Sequence, residues 1–215
     1  MSKQEQPDQD QTATEDAPKA IYLADYQPPG YTTQQTGLHF DIRDGQTTVT
    51  ATLQVARQDA AASQMELLGE ELTLVSVELD GRALSSNEYA LSDHSLTLFN
   101  LDEGHEIRIV TQICPEENTA LEGLYRSSSM YCTQCEAEGF RKITYYPDRP
   151  DVMSRFHVRI EDSSGGLPVL LSNGNPVAAG DGWAEWHDPW PKPAYLFALV
   201  AGDLINHPGQ FTTQS

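Results

Sequence analysis

The sequence predicts an all-β fold of antiparallel strands, arranged as a β-sandwich or as curved sheets, with little helix. Three observations lead to this prediction. Apolar and polar residues alternate with a period of two in several short segments. Turn dipeptides such as Asp44-Gly45 and Asp80-Gly81 follow these segments. No apolar stripe with the helical period extends beyond two turns before residue 115.

The first predicted element is a hairpin. Residues 22–36 are rich in Pro, Gly, Gln and Tyr, which is typical of an irregular or edge segment. Residues 38–42 then alternate between apolar and polar side chains, and the alternation resumes over residues 49–55 after Asp44-Gly45. A turn dipeptide between two alternating runs is a strong hairpin signal.

Further strands are predicted from the same pattern along the chain. They fall at residues 72–79, 89–91, 96–98, 106–113, 156–160, 169–171 and 183–186. Pro189, Pro191 and Pro193 are expected to break the chain after the last of these. Residues 195–200 are continuously apolar, which predicts a strand buried on both faces, with residues 196–200 in the core.

The chain divides into a tail and one domain. Residues 1–20 are acidic and polar and almost lack large apolar side chains, so a disordered tail is predicted there. Residues 21–215 are expected to form the β domain. Within it, residues 116–155 are a polar stretch with few alternating runs. Long loops in compact domains are usually functional or disordered, and this one is not low-complexity, so a functional loop is favoured.

The charge and the cysteines exclude several classes of protein. The 215 residues carry 13 Lys and Arg against 32 Asp and Glu, a formal net charge of −19. Nucleic acids and anionic membranes are therefore not expected as partners, because they bind clusters of basic residues. No transmembrane segment is predicted. Three cysteines and no secretory signal favour a reducing, cytoplasmic location.

Two short motifs with metal or redox precedents are rejected. His105-Glu106 lacks the second His of a zinc H-E-x-x-H motif and lies in an alternating strand pattern. Cys132 and Cys135 form a lone C-x-x-C pair without a second pair, so reduced thiols without a metal are expected. The six histidines are scattered, with no pair at metal-ligand spacing along the sequence. His39 and His157 are expected to face solvent.

Two remaining clusters have open interpretations. Trp183, Trp186 and Trp190 fit either a sugar-stacking platform or, as we favour, core and edge aromatics of a sandwich. In the long loop, Gln134, Glu136 and Glu138 provide an amide and two carboxylates, which suit the capture of a cation such as a peptide α-ammonium group. On composition alone, capture of a cation and a solvated acidic loop are equally consistent interpretations.

The long loop and the segments around it carry a family resemblance. The sequence resembles the amino-terminal domain of the aminopeptidase N family of zinc metallopeptidases (gluzincins), in its bacterial form. The similar stretches are NTALEGLY (118–125), CTQCEAEGFRKITYYPDRPDVMSRF (132–156), LLSNGNPVA (170–178) and WHDPWPKPAYLFALVAGDL (186–204). They are long and follow one another in the same order along the chain, and the resemblance covers most of the chain beyond the tail.

The resemblance implies a saddle-shaped antiparallel β domain that packs on a thermolysin-like catalytic domain holding one zinc ion. The family's catalytic residues and zinc ligands match no position of this chain. The resemblance therefore implies an enzyme that releases N-terminal amino acids from peptides, of which this chain is one domain, cut at Ser215. The isolated chain is expected to bind no catalytic zinc and to be inactive.

The resemblance also implies a substrate-binding role for two residues. In the family, a Gln and a Glu that flank a Cys accept the free α-amino group of the peptide substrate, and these positions match Gln134 and Glu136 around Cys135. Arg141, Asp148, Arg149 and Asp151 are expected to pin the loop by ion pairs and hydrogen bonds. An alternative is a free-standing β-sandwich that binds a protein or sugar partner through its tryptophans.

Overall fold

The computed structural model describes residues 22–213, and β-strands dominate them. The predicted disordered tail at residues 1–20 lies outside the described residues. The strands are β1 (Tyr31–Arg43), β2 (Gln46–Arg57), β3 (Gln64–Leu68), β4 (Thr73–Leu79), β5 (Arg82–Ala83), β6 (Tyr89–Leu91), β7 (Ser95–Phe99), β8 (Gly104–Ile113), β9 (Gly123–Ser127), β10 (Met130–Gln134), β11 (Ser154–Asp162), β12 (Val169–Ser172), β13 (Asn175–Gly180), β14 (Trp183–Lys192) and β15 (Leu199–Gly202).

Helical structure is limited to three short 3₁₀ turns in the described residues: Leu23–Asp25, Gly139–Lys142 and Ala194–Leu196. The predicted all-β class is confirmed. None of these turns is long and apolar enough to cross a membrane.

The strands form three sheets. An eight-stranded sheet has the order β13-β14-β11-β1-β2-β8-β4-β5, a four-stranded sheet has the order β12-β15-β10-β9, and a three-stranded sheet has the order β3-β7-β6. The buried apolar side chains of all three sheets belong to one hydrophobic core. Every strand pair is antiparallel except β1 with β11, which run parallel from Gln35↔Arg155 to Ile42↔Asp162.

The predicted hairpins form where the turn dipeptides stand. β1 and β2 pair around Asp44-Gly45, with Arg43 opposite Gln46. Asp80 and Gly81 both have positive φ, 51° and 76°, between the paired residues Leu79 and Arg82. This is the type I′ geometry that matches the twist of a hairpin, and it explains the Asp-Gly pair.

Three expectations about the second half were wrong in detail. Residues 116–155 are not one long loop, because β9 and β10 form a hairpin inside them. Residues 195–200 are not one doubly buried strand, because a 3₁₀ turn precedes β15, and Leu196 is 49% exposed. Pro189 and Pro191 lie within β14, beyond the last residue paired with β13, where one edge of the strand is free and proline is tolerated.

An aromatic cluster joins the sheets at the centre of the core. The ring of Phe140 meets Tyr146, Phe156 and Phe197 edge to face, with ring centroids 4.9, 6.1 and 5.4 Å away. Phe156 belongs to β11, and Phe197 leads into β15. The backbone of Tyr146 pairs with Leu68 at the end of β3. One cluster therefore contacts all three sheets.

We expect Phe140→Ala to lower the free energy of unfolding by about 3–5 kcal/mol, because it removes a fully buried ring and leaves a cavity among three aromatic neighbours. Chemical denaturation measures this change. The matched control is Phe211→Ala, at a ring that is 90% exposed, where the expected change stays within about 0.5 kcal/mol. Equal effects of the two substitutions would contradict the central role of the cluster.

Candidate functional site

The predicted site residues lie where β10 runs into a tight loop. β10 ends at Gln134, which is exposed, and the next residue, Cys135, is buried. Glu136 is exposed, and the Glu136–Ala137 peptide bond is cis. The loop closes when the backbone N–H of Gly139 donates to the carbonyl of Cys135 at 2.9 Å. Alternating burial thus points the side chains of Gln134 and Glu136 to solvent and anchors the loop between them.

Two glycines make this loop possible. A Cβ on Gly139 would lie 2.3 Å from the carbonyl oxygen of Gln134 and 2.9 Å from the backbone nitrogen of Gly123. Gly123 itself has a φ of +72°, which glycine adopts without strain. The loop backbone therefore packs directly on the start of β9, and no larger residue fits at Gly139.

The side chains of Gln134 and Glu136 present acceptors at the loop surface. The side-chain amide nitrogen of Gln134 donates to the backbone carbonyl of Glu136 at 3.1 Å, so the amide oxygen is the atom left to accept a hydrogen bond. The carboxylate of Glu136 has no hydrogen-bond or ion-pair partner within residues 22–213. An exposed, unpaired carboxylate beside an amide oxygen is suited to bind a cationic donor.

Glu138, the third predicted acceptor, is occupied differently. Its carboxylate pairs with the guanidinium of Arg141 at 3.1 Å, and Arg141 also contacts Asp148 at 3.1 Å and Glu70 at 3.9 Å. The structure therefore separates Glu136 from Glu138. Both carboxylates lie on the same loop, but Arg141 neutralises only the second.

Asp148 is the buried end of this network. Its side chain is 3% exposed. Burial raises the pKa of the Asp148 carboxyl, and the Arg141 guanidinium opposes that rise. Arg149 bonds Asp151 at 2.6 Å and the carbonyl of Gln27 at 2.8 Å. The prediction that Arg141, Asp148, Arg149 and Asp151 pin the loop by ion pairs and hydrogen bonds is confirmed.

The three cysteines differ in how deeply they are buried. Cys114 is exposed, Cys132 is half-buried and Cys135 is buried, and all three are free thiols. Burial, together with the charge of Asp148, raises the pKa of the Cys135 thiol, which keeps it protonated and unsuited to bind a metal. Within residues 22–213, no three His, Cys, Asp or Glu side chains come together as a metal site. The residues in this part of the chain therefore do not fit a catalytic zinc ion.

The tryptophans do not share one surface. On β14, Trp183 stacks under the Arg159 guanidinium at 4.2 Å, whereas Trp186 donates its ring N–H to the carbonyl of Leu170 at 3.1 Å. Their positions differ by an odd number, so they lie on opposite faces of the strand. Trp190 is 77% exposed. His105 and Glu106 lie on β8, as the rejection of the zinc motif required.

One feature of the site region was missed from the sequence. Across the four-stranded sheet, Leu171, Val200, Cys132 and Tyr125 are paired in register, so they form one row on the same face. None of the four is fully buried. Gln134 lies two residues beyond Cys132 and therefore on the same face. We call this row the outer apolar row. The β9–β10 hairpin, β12 and β15 are separated from one another in the sequence, so local alternation gave no signal of the row.

The fold and the site together define a β domain that presents paired acceptors beside an apolar sheet face. The chain belongs to the peptidase M1 N-terminal domain family, whose model matches residues 27–196.

Individual proteins agree with this assignment. The chain is 50% identical over 205 residues to a protein named aminopeptidase N from Caulobacter vibrioides, covering 93% of this chain and 24% of that protein. The structure of Legionella pneumophila aminopeptidase A in complex with aspartic acid is 34% identical, with a TM-score of 0.79, and the match covers 85% of this chain and 22% of that one.

An M1 zinc metallopeptidase from Deinococcus radiodurans has the same fold, with a TM-score of 0.67 at 17% identity over 80% of this chain and 42% of that chain. The chain spans about a quarter of the length of the curated relatives it matches.

We expect Gly139→Ala to destabilise the chain by about 1–3 kcal/mol, because its new methyl group would collide with two backbone atoms that have little room to move. The control is Gly37→Ala in β1, where a Cβ would meet its nearest atoms at 3.7 Å. Thermal unfolding measures both variants. A Gly139→Ala chain as stable as the Gly37→Ala chain would contradict the described packing of the loop.

We expect Arg141→Met to lower the free energy of unfolding by about 3 kcal/mol at neutral pH, because it leaves the buried Asp148 charge uncompensated. Burial favours protonated Asp148 in the folded chain, so its contribution to stability is greatest at acid pH and is lost as the pH rises through its raised pKa. The loss caused by Arg141→Met should therefore be smaller near pH 4.

Chemical denaturation at the two pH values tests this dependence. Arg149→Met is the control because its partner Asp151 is more exposed, and about 0–1 kcal/mol is expected there. A pH-independent loss for Arg141→Met would show that Asp148 is not the group left uncompensated.

Proposed function

We propose that this chain is the substrate-anchoring domain of a zinc-dependent aminopeptidase that releases N-terminal amino acids from peptides. The observation that carries the proposal is the unpaired Glu136 carboxylate beside the Gln134 amide on a tightly anchored loop. The family assignment and the similarity to proteins named aminopeptidase support it. The role of the two side chains is to accept the α-ammonium group of the peptide.

The chemistry of the pair fits that role. A peptide α-ammonium group has three N–H donors and a positive charge, and an internal amide nitrogen has one donor and no charge. An ionised acceptor with an amide oxygen beside it distinguishes the two, because charge-assisted hydrogen bonds are stronger than neutral ones. The Gly139–Cys135 bond fixes the loop backbone, which reduces the entropy lost when the peptide binds.

The outer apolar row supports a second part of the proposal, packing against a catalytic domain. Leu171 is 39% exposed, and Leu196, which is 49% exposed, precedes β15 on a segment bonded to the end of β12 through Asn173. Contact with another domain would remove this apolar surface from water. It would also close one side of the site, since Gln134 lies on the same sheet face.

In this proposal, zinc is held by another domain of the complete enzyme and not by this chain. The described residues do not fit a catalytic zinc ion, so no ligand and no catalytic acid or base is assigned to them. Within a complete enzyme, zinc would supply Lewis-acid chemistry from the catalytic domain. This chain's contribution is to bind and orient the peptide. A cytoplasmic location and the absence of nucleic-acid and membrane partners are proposed with it.

In the intact enzyme, we expect Glu136→Gln to lower kcat/KM for a peptide substrate by about 30-fold or more, because removing one member of a desolvated charge pair costs about 2–5 kcal/mol. Steady-state kinetics measures this, with zinc content determined in parallel. Zinc content should stay at the level of the unmodified enzyme, since Glu136 is not a metal ligand in the proposal.

The matched control is Glu122→Gln, at an exposed carboxylate before β9 that is given no part in binding. Its kcat/KM should equal that of the unmodified enzyme. Glu136→Gln enzyme with unchanged kinetics would remove the anchoring role, whatever the activity of the whole enzyme.

We expect the isolated 215-residue chain to show no aminopeptidase turnover, because the proposal assigns it no catalytic group. A fluorogenic aminopeptidase assay with and without a chelator measures this, with the intact enzyme as the positive control. Robust, chelator-sensitive turnover by the isolated chain would contradict the proposal that this domain binds the substrate and another domain catalyses the reaction.

A further inference from the structure

We propose that His157 and His187 form a surface binding site for a divalent transition-metal ion of the class that prefers imidazole ligands, such as Zn²⁺ or Cu²⁺. The two residues lie directly opposite each other on the antiparallel strands β11 and β14 of the eight-stranded sheet. They are thirty positions apart in the sequence, so no ligand spacing along the chain reveals the pair.

The geometry of the two rings fits a shared ion. The ring centroids are 6.3 Å apart, with the planes inclined by 48°. A metal bound about 2.0–2.1 Å from one nitrogen of each ring places the centroids roughly 5 Å apart at a tetrahedral angle and roughly 6.4 Å apart in a linear arrangement, so a tetrahedral ion requires the rings to approach by about 1 Å. Both side chains are exposed, so small rotations of the rings are sufficient to direct a nitrogen from each to one point.

The surroundings leave room for the ion and its waters. Gly37 is paired with His157 on the neighbouring strand β1, and a Cβ there would meet only Thr52, at 3.7 Å. The missing side chain creates a shallow depression beside the two imidazoles. On the other side, Asn175 is paired with His187 and provides an amide oxygen in the same row. Water completes the coordination of such open sites.

Two arginines flank the imidazoles. Arg159 is ion-paired with Glu161 and with Glu185, the latter at 2.7 Å, whereas Arg155 donates to the carbonyl of Pro189 and has no ion pair to another described residue. His39, on β1, lies 3.2 Å from Glu161. Neither His157 nor His187 has a hydrogen bond or ion pair to another residue in the 22–213 range. The two imidazoles are therefore the free ligands of this surface, and imidazole suits Zn²⁺ and Cu²⁺.

Titration of ZnCl₂ into the 215-residue chain, followed by isothermal calorimetry, tests the proposal. We expect one Zn²⁺ ion per chain at about pH 7.5. His187→Gln and His157→Gln should each weaken binding about tenfold or more, since one imidazole then remains. His94→Gln, at an exposed histidine directly before β7, should bind Zn²⁺ as the unmodified chain does.

Circular dichroism confirms that each variant is folded. Paramagnetic broadening of histidine ring proton signals by Cu²⁺ gives an independent result, and two rings should broaden together in the unmodified chain. Zn²⁺ affinity in the His157→Gln and His187→Gln chains equal to that of the unmodified chain would overturn the site by placing the ion elsewhere. The absence of Zn²⁺ binding by the unmodified chain would overturn it as well.

Discussion

The packing of Phe140 and Tyr146 in the aromatic cluster is the interaction on which the rest of the structure depends. Phe140 follows the site loop, and its ring lies among Tyr146, Phe156 and Phe197. The hydroxyl of Tyr146 lies 3.2 Å from that of Thr36 on β1, and its backbone pairs with Leu68. Burial of these rings therefore fixes the loop relative to all three sheets. The position of Glu136 is thus set by the core packing of Phe140, four residues later in the chain.

The parts of the fold that the sequence predicted are those decided by neighbouring residues. The β1–β2 hairpin needed only alternation and Asp44-Gly45, and both features act locally. The β9–β10 hairpin was missed because its strands do not alternate between apolar and polar residues, and its turn uses Ser128 at a φ of 57° instead of a glycine or asparagine. The parallel pairing of β1 with β11 joins residues more than a hundred positions apart, which no local pattern encodes.

The candidate site residues come from the sequence, but their surroundings do not. Residue types and the family resemblance point to Gln134 and Glu136 as candidates, and Glu138 fits the same composition equally well. Only the position of Arg141 separates the two carboxylates, because its guanidinium pairs with Glu138 and leaves Glu136 free. Such a difference depends on where a 3₁₀ turn aims a side chain, and it becomes visible only in three dimensions.

The two outer sheet faces differ in chemistry, and the difference decides what each can bind. The four-stranded sheet carries the outer apolar row. Its burial is favourable when a large surface covers it and excludes water. The eight-stranded sheet exposes paired charges and two free imidazoles, which remain hydrated and favour a small cation over a protein surface. Alternation of side chains on these strands thus yields one apolar face and one face of paired charges and imidazoles, and Gln134 lies on the first.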